Sequence, residues 1–170
     1  MKIKKFIFYA VWIILIAVLQ PTLFSALKIF GIAPDIFLVF VVATAFLRGK
    51  TEGAVCGAVC GLVFDFLAGR LIGVNALIFM YAGFCVGMIK ERYISGAGAI
   101  TVGVITAVVS LVCSFVYYIA YSMVSGDIGF FAALIRIILP GAIYTAIAGV
   151  VLFIPIEKSF KLIENRRMII

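Results

Sequence analysis

Residues Arg48–Gly73 read RGKTEGAVCGAVCGLVFDFLAGRLIG, and the fold is decided there. Gly53, Gly57 and Gly61 recur every fourth residue through an apolar run, and Asp65 and Gly69 follow in the same register. Small residues at that spacing let two membrane helices bring their backbones close together. A carboxylate set into such a run is costly unless something inside the protein satisfies it. The stretch therefore predicts a helix that packs tightly on other helices and holds one acid in place. Four residues carry an ideal helix about 40° past a full turn, so the row winds slowly around the axis. Such a row suits a crossing helix better than a straight parallel neighbour.

The rest of the chain agrees. Hydrophobic residues make up 66% of it and charged residues only 12%. A bilayer core needs roughly 20 mostly apolar residues per helix. Six spans are predicted, at about 6–27, 32–48, 53–69, 71–89, 99–124 and 130–156. They use most of the chain, so the expected fold class is all-α: a polytopic helical membrane protein, one integral membrane domain over residues 1–170. The alternation expected of barrel strands is absent.

Charge sets the orientation. With the N-terminus inside, Lys2, Lys4, Lys5, Arg48, Lys50, Lys90, Arg92, Lys158, Lys161, Arg166 and Arg167 are cytoplasmic. Only Lys28 and Arg70 fall in outer loops, while Arg136 lies within the last span. That is a strong positive-inside bias and puts both termini in the cytoplasm. It also accounts for the net charge of +7, so no nucleic-acid partner is implied. The basic start and apolar run of the first segment could mark a signal peptide, but the run continues to about Leu27 without a small-x-small cleavage site. A retained helix is expected. Pro21, beside Gln20, is expected to kink its outer end, and Pro140-Gly141 to kink the last span midway.

Catalytic chemistry finds little support. The chain has no histidine, which removes Ser-His and Cys-His nucleophiles and the commonest zinc ligand. Cys56, Cys60, Cys85 and Cys113 all fall in predicted spans without a Cys-x-x-Cys pair, and read as small packing residues. Gly96-Ala97-Gly98 completes no phosphate-binding loop. No enzyme activity, cofactor or metal is expected.

The polar residues near the membrane are Asp35, Asp65, Arg70, Asn75 and Arg136, all toward the outer side. Arg136 is about six residues into its span, roughly 9 Å along the axis. Arg70 can reach the headgroups by snorkelling. Asp65 and Arg136 are expected to pair or to meet a partner, with Asp35 the competing acid. Val39 and Val42 are expected to face lipid.

Gly31-Ile32-Ala33-Pro34-Asp35 at the head of an apolar helix resembles the bacterial rod shape-determining MreD family. So do Arg48-Gly49 ending that helix, the glycine-rich helix leading to Asp65, Gly69, Gly73, Asn75 and Leu77, and Leu19-Gln20 before Thr22-Leu23-Phe24. The resemblance extends over nearly the full length in span number and charge bias, with its motifs between residues 19 and 87. It implies a non-enzymatic inner-membrane scaffold of the cell-elongation machinery that positions peptidoglycan-synthesis partners. Those partners would be an MreC-like single-span periplasmic protein and, through the complex, MreB, RodA and a class B penicillin-binding transpeptidase, within membrane lipid. In that role Gly53, Gly57, Gly61 and Gly69 pack helices, and Pro34, Asp35, Asp65, Asn75 and Arg136 shape the outer half or meet partners. The rival reading is a substrate-binding subunit of an energy-coupling-factor vitamin transporter, which is similar in architecture. Against it, Ala10 and Ala17 are seven apart, with bulky residues between, and do not form the Ala-x-x-x-Ala surface such subunits often carry.

Overall fold

The computed structural model describes residues 2–26, 34–68, 72–93, 98–125, 134 and 138–165, and among these the regular elements are all helical. They are α1 (Lys2–Ala26), α2 (Ile36–Arg48), α3 (Lys50–Ala68), α4 (Val74–Tyr93), α5 (Ala99–Ser125) and α6 (Leu139–Asn165). The last four are long and apolar enough to cross a membrane; the apolar stretches Ile7–Thr22 of α1 and Ile36–Arg48 of α2 are shorter.

α1 includes Pro21 and is described as far as Ala26. Pro140 and Gly141 lie where the π-helical Ile138 passes into α6, and α6 continues beyond 156 to Asn165. Pro155 is a second proline within α6.

The hub is α2. Its sequence IFLVFVVATAFLR is apolar on every side, and a helix hydrophobic all round is a buried one. Every residue from Ile36 to Phe46 is buried, and α2 packs against all five other helices. Val39 and Val42 therefore face protein, not lipid; both are fully buried. The true outward positions form one stripe per surrounding helix: Val55, Val59, Leu62 and Phe66 on α3, Leu77, Tyr81, Phe84 and Met88 on α4. Ile100, Val104, Val108 and Val112 on α5 and Ile143, Ile147, Val151 and Ile154 on α6 repeat the pattern. The spacing of three and four is that of one helical face. Aromatic contacts fasten the bundle: Trp12 stacks on Phe40 at 5.8 Å, Phe8 meets Phe160 edge-on at 4.9 Å, and Phe46 meets Phe153 at 6.3 Å. In lipid, burial of apolar surface gives helices little drive to associate, so such packing contacts and close backbone approach carry the stability.

At 1.5 Å per residue, α2 is only about 20 Å long, against a hydrocarbon core of about 30 Å. Pro34 and Asp35, expected to be helical, instead lead into it as extended chain, with Asp35 at φ −86°, ψ 93°. Non-helical backbone at membrane depth survives only where protein satisfies its polar groups. How this protein does so defines its site.

Candidate functional site

Four features assemble around α2: a glycine seam, three acid-capped helix starts, a glutamine clamp and an apolar cavity. The seam is where the row in α3 meets α4. A Cβ added at Gly53 would sit 2.6 Å from the Cβ of Ala45 and 2.9 Å from the carbonyl oxygen of Gly83. One at Gly57 would run into the carbonyl of Phe79, and one at Gly61 into the backbone of Asn75 and Ala76. From the other side, Gly83 lies against the backbone of Gly53, and Gly87 against that of Gly49 and Lys50. The touching positions on α4 (Gly87, Gly83, Phe79, Ala76) are themselves spaced by four, four and three. The windings of the two rows match, and the row's partner is its antiparallel neighbour for three turns. Gly69 lies outside the described residues.

Each of the helix starts from α2 to α4 is met by a carboxylate. Asp35 caps its own helix, its Oδ1 accepting from the Leu38 amide at 3.0 Å. Helix α4 opens at Gly73, which has no side chain to offer (φ +96°). Asp65 supplies one from the far end of α3. Its Oδ2 accepts from the amides of Gly73 at 2.8 Å and Ala76 at 3.3 Å, and its Oδ1 from the Asn75 side-chain amide at 2.7 Å. Three donors and a helix N-terminus satisfy this buried acid, which is 1% exposed. Its expected partner Arg136 lies outside the described residues, as does Arg70. Helix α3 opens at Gly49 (φ +89°), and its cap comes back from α4: Glu91 Oε1 accepts from the Lys50 amide at 3.2 Å. Helices α3 and α4 thus cap each other, one acid crossing at each end of the seam.

Glu91 also meets the Lys50 ammonium at 3.4 Å. The Lys50 amide, and after it the ammonium, hold the Glu91 carboxyl below the usual carboxylate range. A group with a depressed folded-state pKa stabilises the fold above its unfolded value and loses that contribution as pH falls through the folded one. Thermal unfolding in detergent should therefore show the unmodified chain losing stability below the ordinary carboxylate range. Glu91→Gln should show a shallower loss; identical pH profiles would mean that this cap carries no stability.

The glutamine clamp holds the broken start of α2. Gln20 is 4% exposed and works at both ends of its amide. Its Nε2 donates to the Pro34 carbonyl at 3.3 Å, and its Oε1 accepts from the Ile36 amide at 3.2 Å. Between them, the Asp35 amide donates to Thr145 Oγ1 at 3.2 Å, and Thr145 donates in turn to the Gly141 carbonyl at 2.8 Å. Two side chains from α1 and α6 thus replace the helical hydrogen bonds that the segment lacks. Gln20→Leu would strand one donor and one acceptor, at about 1–3 kcal/mol for each buried unsatisfied group. The unfolding temperature in detergent should drop clearly, whereas Val18→Leu on the outward face of α1 should leave it unchanged.

The cavity, of about 430 Å³, lies between α1 and α3 and is lined by Tyr9, Ala10, Ile13, Ile14, Thr51, Glu52, Val55, Cys56 and Val59. At one end the Tyr9 hydroxyl donates to Glu52 Oε2 at 2.7 Å. Cys56 lies 3.8 Å from Cys60 Sγ and 3.9 Å from Thr44 Oγ1. Among the described residues no group of His, Cys, Asp and Glu side chains could hold a metal ion.

The structure brings Asp65 together with Asn75, and Pro34 together with Asp35, as two separate corners. Sequence reasoning missed the clamp residue Thr145, the α4 glycines Gly83 and Gly87, and Glu91. Gln20 stood out only beside Pro21 and in the Leu19-Gln20 motif of the resemblance, not as a clamp. Gln20 and Thr145 carried a signal as polar side chains in apolar runs, and Gly83 and Gly87 as a second row spaced by four, whereas Glu91, between Lys90 and Arg92, carried none.

A bundle of apolar helices held by buried backbone caps and a glycine seam is an integral membrane protein whose polar groups serve packing. The family model for the rod shape-determining protein MreD matches residues 2–163, and the chain belongs to that family. No curated protein and no solved structure matches it. The family determines rod shape and is made of structural membrane proteins, not of known enzymes.

Proposed function

We propose that this chain is a non-enzymatic scaffold of the cell-elongation machinery in the bacterial cytoplasmic membrane. It is one integral domain with six spans and both termini inside. It binds an MreC-like single-span periplasmic protein and, through that complex, works with MreB, RodA and a class B transpeptidase. The observation that carries this reading, among the described residues, is how the polar groups beside the starts of α2 and α4 are used. Gln20, Asp35, Asp65, Asn75 and Thr145 each bond within the chain, and all five serve helix starts. A vitamin-binding subunit would need polar side chains free to face a ligand near its outer end. A scaffold needs a rigid shape, which caps and a glycine seam supply. In this role Gly53, Gly57, Gly61 and Gly69 are packing positions, and Pro34, Asp35, Asp65, Asn75 and Arg136 shape the outer half.

The test is co-purification of the tagged full chain with the MreC-like protein from the same membrane. Retention of that protein through detergent washing is the expected result. A tight complex with a small vitamin and no retained MreC-like protein would overturn the reading. Cysteine labelling at Lys28 and Arg70 from the periplasmic side checks the topology.

A further inference from the structure

We propose that the cavity between α1 and α3 binds one acyl chain of a phospholipid from the leaflet at the basic end of the bundle. The inference goes beyond the scaffold reading and rests only on the chain being a membrane protein.

Shape comes first. Along α3 the lining runs from Thr51 to Val59, eight residues or about 12 Å parallel to the helix axis. Its volume of about 430 Å³ lies within the roughly 300–1,000 Å³ of ordinary ligand pockets. Polarity comes second. The cavity wall itself is apolar throughout, and the charged groups lie outside it at one end: Glu52, which takes up the Tyr9 hydroxyl, stands in the same turn as Lys50, close to Arg48. An apolar wall with Lys50 and Arg48 just beyond one end suits a lipid, its tail within and its anionic headgroup outside at the basic end.

Access is the third point. Val55 and Ile14 are each 63% exposed and Val59 43%, so the edges open on the same outward stripes that face the bilayer, while Cys56 at 6% is the floor. Water there would find too few polar partners to stay. A partner helix would present separate side chains one turn apart, whereas the groove is continuous, with α1 tied to α3 at one end of it by the Tyr9–Glu52 bond. A flexible hydrocarbon chain fits that shape.

The full chain, purified in mild detergent with added phosphatidylglycerol, can be examined by native mass spectrometry. Ala10→Trp fills the groove from α1; Val108→Trp adds the same bulk on the outward face of α5. One retained phospholipid on the unmodified chain and on Val108→Trp, and its loss from Ala10→Trp, is the expected result. No retained lipid on the unmodified chain, or equal retention by Ala10→Trp, overturns the proposal. Phosphatidylglycerol carrying a photoreactive group in its acyl chain gives a second readout that needs no variant and decides the matter if Ala10→Trp does not fold. Crosslinks should concentrate at residues 13–14 and 55–59. An even spread over α4 and α5, or displacement of the lipid by the transmembrane helix of a co-purified protein crosslinked at Cys56, refutes it. Capture of the MreC-like protein reports separately on the scaffold.

Discussion

Gly57→Ala should destabilise the bundle by on the order of 1–3 kcal/mol, the usual cost of overpacking a tight interface. The single added methyl would land on the carbonyl of Phe79, which is backbone and cannot rotate away. Helix α4 would have to move off α3, and the movement would pull on Gly53–Gly83 and Gly61–Ala76 in the same seam. Gly57→Leu should cost more. The proper controls are Val55→Leu and Val59→Leu, because both valines point outward, unlike the buried Val39 and Val42. Surface changes of that kind are usually within about 0.5 kcal/mol. Thermal unfolding in detergent and retention of the MreC-like protein are the two measurements. If glycine and valine variants unfold alike, the seam is looser than its geometry requires.

The seam was legible because its cause is local. A glycine every fourth residue is a property of one helix, and its meaning does not depend on what the rest of the chain does. Its partner was not legible, since α4 carries its own row (Phe79, Gly83, Gly87) that gains meaning only when the two helices are antiparallel and in register. The same distinction explains α2. Its composition is apolar on all sides, yet hydrophobicity alone does not separate a lipid-facing residue from a protein-facing one, and Val39 and Val42, expected at the lipid, are fully buried. The break at Pro34-Asp35 was visible as a motif but not as extended chain, because its hydrogen bonds come from Gln20 and Thr145, which stand 14 and 110 residues away along the chain in the bonds they make. A carboxylate in an apolar run predicts a charged partner or a contact with another subunit. For Asp65 the donors found are amides, two of them backbone, at a helix start formed by Gly73, where sequence gives no capping side chain. A missing cap on one helix and an unpaired acid at the end of the one before it were the same fact.

Asp65→Leu should therefore be among the most damaging single changes in the chain. It would leave the amides of Gly73 and Ala76 and the Asn75 side chain without their acceptor in a buried corner. At about 1–3 kcal/mol for each stranded group, the loss is several kcal/mol, enough to unfold a marginal bundle. Asp65→Asn should cost only about 1 kcal/mol, the ordinary net worth of one hydrogen bond. The new amide's oxygen can take both backbone donors, and its nitrogen can donate to Asn75 once that side chain turns its own amide over. Asn75→Asp alone should be worse than Asp65→Asn, because it sets two acceptor groups against each other across the present 2.7 Å contact. Combining Asp65→Asn with Asn75→Asp restores one donor facing one acceptor, so the double variant should be more stable than Asn75→Asp. A coupling of roughly 0.5–3 kcal/mol is typical of residues in direct contact. Unfolding temperatures of the four proteins in one detergent give the cycle directly. If Asp65→Asn is instead as harmful as Asp65→Leu, the negative charge itself is required. The cap would then be secondary to an ionic partner, for which Arg136 and a bound subunit are the candidates to swap next.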